Sequence, residues 1–326
     1  MKIAVYGAGA VGGLMAARLA ASGAEVSLIA RGATLVAIRQ HGLRLQTPQG
    51  LQAFRLRADE SAAALGTQDM VILAVKATAL DAVAAQIAPL LGRDTMVMTA
   101  MNGVPWWFFL PDGIPYAGTA LPLLDPDGAL ARVIALERVI GCVVHLSSAC
   151  PEPGLVRPGF GNRLIVGEPA GGVSARVSAL QELLAGAGFE TEASCDIRTD
   201  VWYKLWGNMT VNPVSALTGA TGDRILADPL VRELCLAAMR EAAAIGERIG
   251  CPIAQSGEER LAVAHQLGAF KTSMLQDAQA GKPLEIDALI GEVHEIGKLV
   301  AIPTPCIDSL LGLVRLYGRT HGLYPA

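Results

Sequence analysis

The sequence predicts an α/β chain: a doubly wound sheet first, then an all-α domain. Three observations carry this. Short apolar runs rich in β-branched residues alternate with helical segments up to residue 195, a glycine cluster joins the first strand to the first helix, and past residue 195 only helical periodicity persists. The expected domains are residues 1–195 and 196–326.

Each element has its own signal. "KIAVYGAG" is a strand running into a glycine turn, "GGLMAARLAASG" a helix ended by Gly23, and "EVSLIAR" the next strand. "DMVILAVK" and "TMVMTAMNG" are continuous apolar runs, as expected of parallel strands covered on both faces, with "LDAVAAQIAPLL" the helix between them. "RVIGCVVHLSS" and "NRLIVGEP" read as strands flanking the turn-rich "CPEPGLVRPGFG". "SARVSALQELLAGAG" is a helix and "FETEAS" the last strand. Beyond it, "DVWYKLWGNMTVNPVSAL", "LVRELCLAAMREAAAIGERIG", "EERLAVAHQLGAF", "EIDALIGEVHEIGKLVA" and "PCIDSLLGLVRLYGR" carry the helical period.

Composition narrows the function. The chain has 326 residues, 52% of them apolar and 17% charged, with net charge -4. No basic stripe points to nucleic acid. Mean hydropathy is +0.41, yet no apolar run long enough to span a bilayer is free of charges or Gly/Pro breaks. Five glycines and Arg18 interrupt the N-terminal apolar stretch, so it is not read as a signal peptide. Six scattered cysteines without a C-x-x-C fit reduced, mostly buried thiols in a cytoplasmic protein. The five histidines never reach metal spacing, so no metal is expected.

Gly7, Gly9 and Gly12 form G-x-G-x-x-G between the first strand and helix, with Ala8, Ala10 and Val11 completing the turn. The first glycine permits the tight turn, the second admits a pyrophosphate to the backbone, and the third lets helix and strand pack closely. This context makes the first domain Rossmann-type. The second strand ends at Arg31 with no acid nearby downstream. An arginine there suits the 2′-phosphate of NADP, and a solvated surface arginine is the plainer reading. Lys76 and Asn102 each follow a predicted parallel strand, where ligands bind in such sheets, although either is equally an ordinary loop residue.

In the helix from Asp200, the residues are apolar almost all round, which marks a buried helix, yet Lys204, Asn208 and Asn212 recur at i, i+4 and i+8. Either the lysine snorkels to the surface, with Pro213 ending the helix near Asn212, or this polar stripe lines a cleft. Ser273 has a bland reading as a turn hydroxyl, and Glu285 with Asp287 as acids favoured at a helix start.

The motifs "GAGAVGG", "VKA", "MNGV", "YKLWGNMTVNPVSALTG", "SMLQD", "EIDALIGEV" and "IPTPCIDSLLGLV" occur in this order along nearly the whole chain. In this the sequence resembles the ketopantoate reductase (2-dehydropantoate 2-reductase) family. The resemblance implies hydride transfer from NADPH to the ketone of a 2-oxo acid, in pantothenate biosynthesis. It implies Lys204 as general acid and substrate ligand, Asn208, Asn212 and Ser273 as substrate ligands, and Glu285 beside the reacting centre and the nicotinamide ribose. Lys76 and Asn102 would contact the cofactor near its reactive end, Asn102 the substrate also, and Ser147 would lie in a cofactor-contacting loop. The implied fold is a Rossmann domain with a helical domain like that of 6-phosphogluconate dehydrogenase, and an active site between them.

The chain departs from the family pattern at two places. Pro105 replaces the second glycine of "NG-x-G" and opens the aromatic run Trp106, Trp107, Phe108 and Phe109. Those rings either shape the substrate pocket or form a hydrophobic flap packing on their own domain or on a dimer mate. Gly222 stands where the family pattern has a polar substrate contact. Ketopantoate reduction leads; a related reductase of a larger or more apolar 2-oxo acid, and a non-catalytic NADP-binding sensor on the same fold, are the alternatives. The expected partners are a small-molecule 2-oxo acid and, where the chain self-associates, a second copy in a homodimer, with neither nucleic acid nor membrane.

Overall fold

The alternating runs at the start of the chain form β1 (Lys2–Tyr6), β2 (Glu25–Ile29), β3 (Leu43–Thr47), β4 (Gly50–Phe54), β5 (Arg57–Asp59), β6 (Gln68–Leu73) and β7 (Leu91–Thr99). A second set follows: β8 (Val139–Glu152), β9 (Leu155–Gly167) and β10 (Glu190–Ser194). The computed structural model describes residues 1–325. The chain divides into two units, one of Met1–Met101 with Asp127–Asp200, the other of Asn102–Pro126 with the chain from Val201 onward. Residues 102–126, which the sequence reading ran inside a continuous first domain, therefore group with the helical unit.

In the first unit all ten strands share one sheet, ordered β4-β3-β9-β8-β7-β6-β1-β2-β5, with β10 paired to β9. The pairs β1–β2, β1–β6, β6–β7 and β7–β8 are parallel. Its helices are α1 (Ala10–Ala21), α2 (Gly32–His41), α3 (Ala62–Leu65), α4 (Leu80–Gln86), α5 (Ala129–Val133) and α6 (Ala175–Gly186). Ile3, Val5, Leu14, Leu19, Met70, Ile72, Met98 and Ile140 form part of one buried cluster. This explains why β1, β6 and β7 read as unbroken apolar runs.

Two stretches differ from the sequence reading. No strand was expected over 43–59, yet Leu43 and Leu45 turn inward while Arg44 and Gln46 stay half-buried, and the stretch pairs with β4 as a hairpin. The turn-rich 150–161 is mostly strand: β8 and β9 pair antiparallel with only Pro153 and Gly154 between them. Register shifts absorb its glycines, and Gly161, at φ +78, would carry a Cβ 2.6 Å from the His145 carbonyl oxygen.

The second unit contains α7 (Ile197–Thr218) from Val201 on, α8 (Gly222–Ala227), α9 (Pro229–Arg248), α10 (Gly257–His265), α11 (Ser273–Gln279), α12 (Glu292–Leu299) and α13 (Pro305–Thr320). A π turn at Asp287–Gly291 leads into α12. The helix α7 does not stop at Pro213, which lies inside it. Proline costs it one backbone bond, but the helix is buried along its length, and packing overrides local preference. The indole N–H groups of Trp202 and Trp206 donate to the carbonyls of Ala242 and Met239 on α9, at 3.1 and 2.7 Å.

The aromatic run packs inside this unit. Trp107, Phe108 and Phe109 are at most 1% exposed, and the Phe108 ring lies 6.1 Å from that of Trp202. Truncating such a side chain to alanine typically costs about 3–5 kcal/mol. Both ends of the 102–126 segment are tied to the chain beyond Glu285. The Val104 N–H donates to the Ala288 carbonyl at 2.9 Å, and the Leu123 N–H donates to the Glu292 carboxylate at 2.7 Å.

Glu292 is fully buried, and one of its oxygens has no partner. Burial pushes its pKa up to about 7; Glu295 and Asp287 add to the rise, and the Leu123 and Leu124 N–H groups oppose it. The carboxyl is therefore easier to keep neutral in the folded chain than in the unfolded one. Its contribution to stability is complete below the unfolded value of 4.5 and is lost as pH rises through about 7. The difference is on the order of 3 kcal/mol. Urea titrations across this window should show wild type weakening and Glu292→Gln holding level; parallel profiles would refute the assignment.

Candidate active site

The end of β1 builds a first group of candidate residues, within the first unit. Tyr6 pairs with Ile29 of β2 and Leu73 of β6, so the chain leaves all three strands on one rung. From that rung emerge the Gly7–Gly12 turn, Arg31 and Lys76. Gly7 sits at φ +108, and a Cβ there would lie 2.6 Å from the Ala74 carbonyl oxygen. A Cβ on Gly12 would lie 2.0 Å from the Gly7 carbonyl oxygen, so α1 can approach β1 only as glycine. Gly9 differs: nothing lies within 4 Å of where its Cβ would be. It caps α1, whose first turn carries no acid and no side-chain cap. Ala8, Ala10 and Val11 complete this turn, which offers open backbone N–H groups and the positive end of a helix.

Arg31 is exposed and caps α2. Burial pushes the Tyr6 hydroxyl pKa up, and the Arg31 charge opposes that rise, which sets a positive field at this edge. Lys76 is half-buried, just before a short 3-10 turn at Ala77–Ala79. Ser147 is exposed. It lies within β8 rather than in a loop, six residues past Gly141, the last to pair with β7. Its hydroxyl donates to the Phe160 carbonyl at 3.1 Å and accepts from the Phe160 N–H at 2.6 Å.

A second group lies in the helical unit. Lys204 and Asn208 are half-buried on α7, and Asn212 is 6% exposed. The Lys204 ammonium donates to the Asn102 side-chain oxygen at 2.5 Å, joining residues 102 positions apart. Gly103 makes that meeting possible. It holds φ +87, and a Cβ there would lie 2.4 Å from the Ala288 carbonyl oxygen. Gly103 and the π turn were not singled out from sequence; the Asn102-Gly103 pair was the available signal.

The far end of the stripe is tied to α11. Ser215 donates to the Asn212 carbonyl at 2.8 Å, and its hydroxyl meets that of Thr272 at 2.5 Å. Thr272 caps α11, leaving Ser273 exposed as its first residue. Glu285 is half-buried immediately before the turn that receives Val104. A cation, three amides, a hydroxyl and a carboxylate thus share one unit: groups able to bind an oxo acid and give a proton to its oxygen.

Among the described residues no three His, Cys, Asp or Glu side chains could together hold a metal ion. No helix there is long and apolar enough to cross a membrane. The cysteines are thiols outside any disulfide: Cys142, Cys235 and Cys251 are buried, Cys150 and Cys306 partly so, and Cys195 is exposed. Burial raises the Cys235 thiol pKa to about 11, which marks a structural rather than reactive thiol.

Comparison with known proteins gives the following. Residues 3–105 match the family described as Ketopantoate reductase PanE/ApbA, and residues 196–318 match its C-terminal counterpart. A 2-dehydropantoate 2-reductase of Mesorhizobium japonicum is 47% identical over 99% of this chain and 100% of its own. The crystal structure of a Ralstonia solanacearum MolK2 protein, provisionally named a ketopantoate reductase, is similar with TM-score 0.96 and 57% identity, covering 99% of each chain. That of a Geobacter metallireducens 2-dehydropantoate 2-reductase has TM-score 0.86 and 27% identity, covering 97% of this chain and all of its own.

Proposed function

The chain belongs to the ketopantoate reductase family, and from that premise we propose that it reduces 2-dehydropantoate to pantoate with NADPH, in pantothenate biosynthesis. It is an oxidoreductase. The observation that carries the reading is the Lys204 ammonium held by Asn102 at 2.5 Å, since binding a dinucleotide alone does not require Lys204.

The glycine turn fits a nicotinamide dinucleotide: the space at Gly9 is open, and the helix start has no acid to repel a pyrophosphate. Gly7 to Gly12 would hold the pyrophosphate, Arg31 the 2′-phosphate, and Lys76 the part nearer the reactive end. The bound reduced cofactor supplies the hydride. The protein's own part is to receive the charge that develops on the ketone oxygen. Lys204 stabilises that oxyanion and donates the proton to it. Asn102 aims the ammonium. Asn208, Asn212 and Ser273 hydrogen-bond the substrate without adding charge, and Glu285 orients the bound groups. Cysteines outside any disulfide suit the reducing cytoplasm.

A related reductase of a more apolar 2-oxo acid has one observation in its favour. A Cβ on Gly222 would lie 2.1 Å from the Phe270 ring, so position 222 presents an aromatic neighbour and no polar group. Following NADPH oxidation with a panel of 2-oxo acids tests both readings. 2-Dehydropantoate should rank first by kcat/KM. A more apolar acid ranking first would select the second reading, and oxidation with none would remove both.

The cofactor choice has its own test. Losing a charge-assisted phosphate contact should cost about 1.5–3 kcal/mol, roughly ten- to a hundredfold in affinity. Arg31→Ala should lose that much for NADPH and little for NADH. Equal losses in fluorescence titrations would defeat the assignment of Arg31.

A further inference from the structure

We propose that Arg260 binds the carboxylate of the substrate, held against α7 by Tyr203 and the bare backbone at Gly207. The proposal rests on reading the Lys204 stripe as the substrate site, and adds to it the group that recognises the acid.

The short helix α10 is fixed in place by its first turn. Ser256 and Glu259 form a reciprocal cap, with Glu259 N–H to the Ser256 hydroxyl at 3.2 Å and Ser256 N–H to the Glu259 carboxylate at 2.9 Å. The Tyr203 hydroxyl donates to the Gln255 side-chain oxygen at 2.6 Å, joining this turn to α7. Leu261 is 2% exposed and anchors the helix. Arg260 therefore projects from a defined platform.

Its guanidinium stacks over the Tyr203 ring, 5.1 Å from the centroid. It also lies on Gly207: a Cβ there would sit 3.3 Å from both Nε and Nη2 of Arg260. Glycine inside a helix costs stability relative to alanine, and the closeness of the guanidinium gives a reason for it here. Gly207 is three residues from Lys204 and next to Asn208, so the guanidinium flanks the polar stripe.

What Arg260 lacks is an anion. Its Nε is buried without a hydrogen-bond partner, and it enters no ion pair among the described residues. A buried unpaired donor is costly unless something completes it. A 2-oxo acid carries one full negative charge besides the one that develops on its ketone oxygen. Lys204 serves the oxygen. The planar fork of an arginine matches the carboxylate in two parallel hydrogen bonds.

The test compares a 2-oxo acid with its neutral primary amide in steady-state kinetics. Arg260→Gln should raise KM for the acid roughly ten- to a hundredfold, as expected for one charge-assisted contact. Its kcat/KM for the amide should stay within about threefold of wild type. Arg260→Lys should recover part of the loss for the acid. Gly207→Ala should also raise KM for the acid while Tm holds or rises, because alanine favours the helix. Equal losses on acid and amide would make Arg260 a prop for Tyr203 and overturn the proposal; so would an unchanged KM for the acid. Lys204→Ala, run alongside, separates the two levels. Normal turnover there removes the site reading itself, whereas a missing acid–amide contrast with Lys204→Ala inactive removes Arg260 alone.

Discussion

Lys204→Ala should lose roughly 10²–10⁴-fold in kcat, the range for removing a positioned general acid. The loss in kcat/KM should be larger, because the ammonium also holds the substrate. The geometry makes this sharper than a motif could. Lys204 is half-buried on a helix whose other faces are filled by Trp202, Leu205, Trp206 and Met209, and its ammonium is already aimed by Asn102 at 2.5 Å. A lysine that merely snorkelled to solvent would have no such partner and would leave activity within a few-fold of wild type. Tm should hardly move, since none of the four core side chains is altered. Dinucleotide affinity should also persist, because the Gly7–Gly12 turn belongs to the other unit. Turnover near normal would remove the acid and most of the mechanism with it.

How far the sequence could reveal this depends on the kind of signal. The strands β1, β6 and β7 were legible because both their faces are buried, which forces unbroken apolar runs. The stripe on α7 was legible because helical spacing is fixed, whatever the helix packs against. What could not be read were events that need two distant segments. The paired strands β3 and β4 are short and partly exposed, so their alternation is weak. Nothing in "NGVPWWFF" says that four large rings will enter the helical unit, because that depends on the partner surface around Trp202. Pro213 misled for the opposite reason: a valid local rule was outweighed by burial of the whole helix. Arg260 lay outside every motif. Its importance comes from a glycine 53 positions earlier whose missing side chain it fills.

Gly12→Ala and Gly9→Ala should fail in different ways, and the contrast tests the cofactor site. The Gly12 methyl would lie 2.0 Å from the Gly7 carbonyl oxygen and 2.9 Å from the Ala74 side chain. The first neighbour is backbone, in a turn already committed to φ +108 at Gly7, so α1 must move away from β1. Overpacking of this kind costs about 1–3 kcal/mol, and each kcal/mol lowers Tm by roughly 2–4 °C in a domain of this size. Moving the helix start also spoils the N–H groups facing the pyrophosphate. If two charge-assisted contacts are lost, NADPH affinity should fall at least about a hundredfold. The Gly9 methyl meets no protein atom within 4 Å, and φ there is -79, which alanine adopts freely. Gly9→Ala should therefore melt like wild type, yet bind NADPH weakly, because the methyl fills the space the pyrophosphate needs. A stable Gly9→Ala that binds NADPH normally would mean that the open space at Gly9 is not where the phosphates lie. The assignment of the whole turn would then fail, even with Gly12→Ala destabilised as expected.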